Sequence, residues 1–172
     1  SRNFSPRHPA SSRATGSAAS RSFAVLINAS SMTSLTARRA LGLIGAGPGP
    51  LGVIARTLGV IGCGHQAEMQ VECMRAAVPS IERVVAYCRT PEKLAAFCKL
   101  TGAEVGASHR DAATHDVVVT ITSSRDPVLR GEWLAPGVLV CAAGANVVTR
   151  RELDNAVLER AKEAGIVQIV VT

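Results

Sequence analysis

The sequence predicts an α/β fold, a doubly wound parallel sheet with helices on both faces, and three observations carry that prediction. From Thr57 onward, short runs of consecutive apolar, mostly β-branched residues alternate with segments of helical period. Continuous apolar runs mark strands buried on both faces, the signature of a parallel sheet covered by its crossover helices. The run Leu58–Ile61 leads directly into Gly62-Cys63-Gly64-His65-Gln66-Ala67 and then a helical pattern, the strand–turn–helix setting that gives a glycine motif meaning. No period of ~20–50 residues recurs, which excludes a solenoid.

Taken in order, Leu58–Ile61 reads as a strand and Gln66–Ala77 as a helix with Ala67, Val71, Met74 and Val78 along its apolar face. Arg83–Cys88 is the next strand. Thr90 can cap a helix that has Pro91 at its first position, buries Leu94, Phe97 and Cys98, and ends at Gly102. A short strand, Glu104–Gly106, and a short helix near His109–Thr114 lead into the strand Asp116–Ile121. Gly137–Ala142 is a further strand. Thr149-Arg150-Arg151-Glu152 has the form of a capping box, opening a helix with Leu153, Val157 and Ala161 inward. Ile166–Val171 closes the series as a last strand. This rhythm fits a Rossmann-like, doubly wound nucleotide-binding fold.

Composition narrows the function. At 172 residues, one domain or one domain with a tail is expected, and 47% hydrophobic residues exclude wholesale disorder. Aromatic residues are 3% of the chain, too few for a base-stacking platform. The net charge of +6 is unevenly placed: residues 1–67 hold seven arginines (2, 7, 13, 21, 38, 39 and 56) and no acid. The remaining 12 basic residues face all 13 acids, a net of −1, so the compact part offers no phosphate-binding stripe and nucleic acid is not an expected partner. The five cysteines (63, 73, 88, 98 and 141) form no CxxC pair, which argues against a structural zinc or a disulfide framework and for reduced thiols in a cytoplasmic setting.

The front of the chain reads differently. Residues 1–56 form an Arg/Ser-rich, partly disordered leader and linker, and 57–172 the NAD(P)-binding domain. An acid-free, Arg- and Ser-rich start also fits an organellar transit peptide, and a fragment junction is the plainer alternative because residue 1 is Ser. Asn28-Ala29-Ser30 matches the glycosylation triplet, with nothing else pointing to secretion. Residues 40–55 are uncharged and mostly apolar but are broken by Pro48 and Pro50, so no membrane association is expected.

In the turn at 62–67, Gly62 permits the tight bend, Gly64 lets a pyrophosphate approach the backbone, and Ala67 is small enough for close helix–strand packing. The free N–H groups and dipole of the following helix attract phosphate. A glycine turn that binds nothing is the alternative. Cys63, His65 and Gln66 are turn residues beside the cofactor, with no catalytic partner for His65 in view. Gly45-Ala46-Gly47-Pro48-Gly49-Pro50 echoes the motif, but its prolines lack the N–H donors a phosphate needs. His109 and His115 read as surface residues. No metal site is expected.

Four segments together resemble the ornithine cyclodeaminase/mu-crystallin family: LGVIGCGHQAEMQ (58–70), AYCRTPEKLAAF (86–97), VVVTITSSRDPVLRGEWLAPGVLVCAAGAN (117–146) and RRELDNAVLERA (150–161). SLTARRA (34–40) is similar to the helix that leads into the family's dinucleotide domain. The resemblance implies a two-domain, usually dimeric enzyme that moves a hydride between a nicotinamide and the α-carbon of an amino or imino acid. Its members are cyclodeaminases, alanine dehydrogenase, and ketimine or pyrroline-carboxylate reductases. The front of this chain is short where the family carries a substrate and dimerisation domain with a catalytic lysine, and no lysine precedes Lys93. A chain incomplete for catalysis and monomeric or weakly associating is therefore expected. Asn146 stands where the cyclodeaminases have a catalytic aspartate, and an amide cannot serve as that base. The dehydrogenase or reductase type is favoured, with a cyclodeaminase fragment or a non-enzymatic, mu-crystallin-like cofactor binder as alternatives. By the same resemblance, Thr122 and Ser123 lie near the cofactor ribose and nicotinamide.

Cofactor choice turns on the end of the second strand, where NAD-specific folds carry an acid ~20 residues past the glycines. Here it reads Ala86-Tyr87-Cys88-Arg89-Thr90, with no carboxylate to repel a 2′-phosphate. Arg89 can pair with that phosphate and Thr90 can donate a hydroxyl to it. The mu-crystallin branch is similar in carrying an Arg-Thr pair here. NADP(H) is thus expected over NAD(H).

Overall fold

In the computed structural model, residues 24–27, 55–145, 149–163 and 167–169 are described. The strands are β1 (Ala24–Ile27), β2 (Thr57–Ile61), β3 (Arg83–Tyr87), β4 (Glu104–Val105), β5 (Val117–Thr120), β6 (Leu139–Ala142) and β7 (Val167–Ile169). The helices are α1 (His65–Ala77), α2 (Pro91–Thr101), α3 (His109–Ala113) and α4 (Asn155–Glu163), with a 3₁₀ turn at Gly131–Trp133. The strands form one sheet in the order β4-β3-β2-β5-β6-β1-β7, every pair parallel. Crossing from β4 to β5 requires the chain to pass back over β3 and β2, so the switch point of the double winding lies between β2 and β5.

The alternation along each strand splits the core into two layers. Leu58, Val60, Val84, Ala86, Val117, Val119, Leu139 and Cys141 face α1 and α2, meeting Ala67, Val71, Met74, Leu94, Phe97 and Cys98. Ile61, Val118, Val140 and Ala142 face the other way, onto Ala112 and Ala113 of α3 and Val157 and Ala161 of α4. All these strand side chains are withdrawn from water, which is why their sequence is continuously apolar. Burial in this layer pushes the Cys141 thiol up to about 12. Helix α3 lies directly on β2 because Gly59 has no side chain: a Cβ there would sit 1.7 Å from the Ala112 carbonyl oxygen.

Three details depart from the sequence reading. The sheet takes in β1, from a stretch that reading assigned to a leader, and AVLI is itself a short continuous apolar run of the buried-strand kind. Asp116 stands just before β5, and its carboxylate accepts bonds from the Arg56 and Thr57 N–H groups at 2.9 Å and from the Thr57 hydroxyl at 2.8 Å. It thereby ties the start of β2 to the start of β5. The capping box at Thr149–Glu152 does not form. Helix α4 begins at Asn155, with Asp154 accepting from the Val157 and Gly131 N–H groups at 3.0 Å, while Glu152 turns inward. A carboxylate three residues from a threonine can cap locally, but here buried N–H groups across the sheet compete for it and win.

His115 is a further correction, since it is buried at 8% exposure rather than on the surface. It lies against Gly59, whose hypothetical Cβ would be 2.9 Å from the imidazole Cδ2, and its Nε2 has no hydrogen-bond partner. Burial first, and the Arg83 charge second, hold its imidazole below the ordinary 6.5, against the opposing pull of Asp111, Asp116 and Glu104. The unfolded chain therefore binds this proton at a higher pH than the folded one. Stability is complete above pH ~6.5 and falls as the pH is lowered toward the folded value. His109 is shifted the same way by burial and Arg89. The Glu104 carboxyl, held low by Arg83, makes its contribution above 4.5. Urea midpoints should thus fall between pH 6.5 and 5, and His115→Asn should reduce that slope. A flat midpoint across this window in the wild type would contradict the burial of a neutral His115.

Candidate functional site

The carboxyl ends of β2, β3 and β5, with the segment following β6, open on one cleft of about 440 Å³. Its position at the switch point is where open α/β sheets accept ligands. At the centre, the chain leaves β2 through Gly62. Its N–H donates to the Tyr87 carbonyl at 2.9 Å, its φ is +116°, and a Cβ would lie 2.3 Å from the Ile121 carbonyl oxygen. Gly62 is therefore demanded by the fold, both in backbone conformation and in space.

Nothing among the described residues demands a glycine at position 64. It caps α1 in an extended conformation (φ −97°, ψ 173°) that any residue adopts, and a Cβ on it would meet no atom within 4 Å. The Ala67 N–H already returns to the Gly64 carbonyl at 2.8 Å. His65 and Gln66 occupy the first turn, where N–H groups have no acceptor within the helix. The result is an open concavity at a helix N-terminus, a setting that favours an anion. Ala67 is fully buried at the strand–helix contact, as its size suggests. The His65 imidazole points to water and contacts the Glu68 carboxylate at 3.2 Å. Cys63 sits half-buried under the turn, its thiol pushed up by burial and by contact with Cys88, so it remains a protonated packing group.

At the β3 side stand Arg89, Thr90, Lys93 and His109. Thr90 occupies the helix cap position, but its hydroxyl makes no capping bond, which leaves that group turned to other use. The His109 ring packs edge-on against Tyr87 at a centroid distance of 4.7 Å and lines the cleft, half-buried rather than on the open surface. A helical-period count on a five-residue helix gave no signal of that contact.

On the β5 side, Thr122, Ser123, Ser124 and Gly144 form the wall. The group that organises it is Glu152, 1% exposed. Its Oε1 accepts from the Thr122 N–H at 2.6 Å, and its Oε2 from the Gly144 N–H at 2.7 Å and the Thr120 hydroxyl at 3.1 Å. Charge-assisted bonds of this kind contribute on the order of 1.5–3 kcal/mol each, and a buried carboxylate needs them. Sequence reading missed this role, because nothing local connects residue 152 to residues 120–144. Asn146 lies outside the described residues. The structure thus brings together Gly62, Cys63, Gly64, His65, Gln66, Ala67, Arg89, Thr90, Thr122 and Ser123 around one cleft, and adds Lys93, His109 and Gly144 to them.

The chain is similar to known proteins in both sequence and fold. The family description "Ornithine cyclodeaminase/mu-crystallin family" matches residues 9–168. The chain is 37% identical over 108 residues to the alanine dehydrogenase of Archaeoglobus fulgidus, covering 60% of this chain and 33% of that protein. It is 33% identical over 105 residues to the ketimine reductase mu-crystallin of Mus musculus, covering 59% and 33%. Among solved structures, an archaeal alanine dehydrogenase dimer with bound NAD superposes with a TM-score of 0.61 at 30% identity, over 77% of this chain and 44% of that one. The iminosuccinate reductase of Paracoccus denitrificans in complex with NAD+ gives 0.56 at 26% identity, over 73% and 38%. The chain spans about a third of the length of these curated relatives.

The two glycines should separate in a stability measurement. Gly62→Ala is expected to lower the unfolding free energy by about 1–3 kcal/mol or more, from overpacking against the Ile121 carbonyl plus a strained φ. Gly64→Val should leave the urea midpoint close to that of the wild type. Equal losses in the two variants would mean that the fold, not a ligand, requires Gly64.

Proposed function

We propose that this chain, which belongs to the ornithine cyclodeaminase/mu-crystallin family, is the nicotinamide dinucleotide-binding part of an oxidoreductase acting on an amino or imino acid. The observation that carries this reading is the empty space beside Gly64 at the α1 N-terminus, a glycine that the protein's own packing does not use. Open space beside a helix N-terminus, whose first N–H groups have no acceptor within the helix, suits a pyrophosphate. In this reading the His65 and Gln66 N–H groups donate to the phosphates, and the α1 dipole stabilises their charge. The adenosine half lies toward β3 and the nicotinamide half toward Thr122, Ser123 and Gly144, across the switch point. When bound, the nicotinamide supplies or accepts the hydride. The residues of this chain orient it and exclude water from one side, through the buried wall that Glu152 holds. A reductase or dehydrogenase type is favoured by the relatives, which include alanine dehydrogenase, iminosuccinate reductase and pyrroline-2-carboxylate reductase.

For the finer choice between cofactors, the reading is NADP(H). No carboxylate stands at the end of β3, and Arg89, Thr90 and Lys93 line that end of the cleft. Several solved neighbours carry NAD(H), so a direct titration decides. Arg89 is exposed, and screening places its contact at the low end of the charge-assisted range, ~1.5 kcal/mol, or roughly one decade in affinity.

Gly64→Val is expected to abolish NADPH binding in calorimetry while the far-UV spectrum stays unchanged. A folded variant with wild-type affinity would remove the turn as the phosphate site. Titrating NADPH and NADH into wild type should give about tenfold tighter NADPH, and Arg89→Ala should bring the two together. Equal affinities in the wild type would overturn the NADP(H) assignment and leave dinucleotide binding standing.

A further inference from the structure

Beyond the ladder of the parallel sheet, the chain faces an accounting problem. The last ladder-type bonds at this end are Ile121 N–H to the Ile61 carbonyl at 2.9 Å and Ala143 N–H to the Thr120 carbonyl at 2.7 Å. The next inward donors, Thr122 N–H and Gly144 N–H, have no strand carbonyl to reach. Both end on the two oxygens of one carboxylate, Glu152, which also accepts the Thr120 hydroxyl. The peptide of that same residue accepts the Val128 and Leu129 N–H groups at 2.9 and 3.0 Å. Gly144 is packed so closely that a Cβ would sit 2.2 Å from the Thr122 carbonyl oxygen and 2.6 Å from Glu152 Oε1. The connection that follows β5 and the connection between β6 and α4 are therefore joined at a single buried carboxylate.

This arrangement decides what the wall offers to a ligand. The Thr122 N–H is spent on Glu152, and the Thr122 hydroxyl oxygen accepts the Ser124 N–H at 3.2 Å. What Thr122 retains for the cleft is its hydroxyl proton. If Glu152 were lost, the N–H groups of Thr122 and Gly144 would both be left unpaired, and the two loops would separate or turn those donors into the cleft.

We propose that Glu152 is a positioning residue for the nicotinamide half of the cleft: its carboxylate sets the spacing of Thr122 and Gly144, and with it the shape of the surface against which the nicotinamide ring lies. The inference rests on the dinucleotide reading given above. Glu152→Gln keeps the size but replaces one acceptor oxygen by an amide donor, which must face an N–H group or the Thr120 hydroxyl. The side-chain bonds of Glu152 described above go to Thr120, Thr122 and Gly144 and none to the glycine turn or the β3 end, whose geometry the substitution should leave in place.

The full chain is titrated with NADPH and, separately, with 2′-phospho-ADP-ribose, which carries every part of the ligand except the nicotinamide. In Glu152→Gln the affinity for 2′-phospho-ADP-ribose should stay within about twofold of wild type, while that for NADPH falls at least tenfold. Thr120→Val, which removes one of the three bonds, should shift the same ratio by a smaller factor and serves as the deciding variant if Glu152→Gln does not fold. An equal loss for both ligands, or an unchanged ratio in the folded variant, would show that Glu152 only stabilises the fold and would overturn the proposal. Wild type that binds neither ligand would instead overturn the dinucleotide reading, and this inference with it. Wild type that binds both ligands equally tightly, showing no contribution from the nicotinamide half, would overturn the inference alone.

Discussion

The peptide of Gly62 is wedged between two strand ends, bonded to the Tyr87 carbonyl on one side and pressed against the Ile121 carbonyl on the other. Everything in the cleft follows from that contact. It draws the carboxyl ends of β2, β3 and β5 together at one point, so the chain can leave the central strand only by a tight turn with positive φ. The turn then delivers the first residues of α1 above the switch point with their N–H groups uncommitted. A side chain at this position would push β5 away from β2 and close the gap in which a ligand lies.

Around this point the cleft is chemically two-sided. The β3 side is cationic and exposed, with Arg89, Thr90 and Lys93 at the surface and His109 half-buried behind them against Tyr87. On the β5 side the Glu152 carboxylate is buried and holds two backbone N–H groups and the Thr120 hydroxyl, while Arg150 also lines the cleft. The exposed cations act in high dielectric and discriminate modestly. The buried carboxylate acts on geometry, and removing it would leave donors unpaired in a dry place, where the cost is larger.

The same contrast separates the two ways in which polar groups enter this core. Glu152 and Asp116 each accept bonds from several donors, and each reinforces a pair of neighbouring strands beyond the end of its ladder: Asp116 at the start of β2 and β5, Glu152 at the ends of β5 and β6. His115 is the opposite case, a buried imidazole with one nitrogen unpartnered, held neutral by burial and by Arg83. Its place beside Gly59 shows how tightly α3 is laid on β2, since the side chain fills the end of the slot that the missing Cβ creates.

The parallel α/β architecture, the order of its elements from residue 57 and the glycine turn were legible in the sequence. Continuous apolar runs, helical spacing and the residue types of a strand–turn–helix junction are all properties of near neighbours in the chain. For the same reason Arg89 and Thr90 could be singled out: their position relative to the strand end is local. What only the tertiary structure decided are the long-range partnerships. Glu152 reads as a helix-capping residue because Thr149 stands three positions before it. It is instead drawn across the sheet by donors 8 to 32 residues away. His109 and His115 read as surface residues because the helix at His109–Ala113 is too short to show a face and His115 lies just beyond it; the one packs half-buried on Tyr87 and the other is buried beside Gly59, both on other elements. The separate reasons for the two glycines were invisible too. Their spacing is one motif in the sequence, and only the surrounding atoms show that the fold requires the first and leaves open space beside the second.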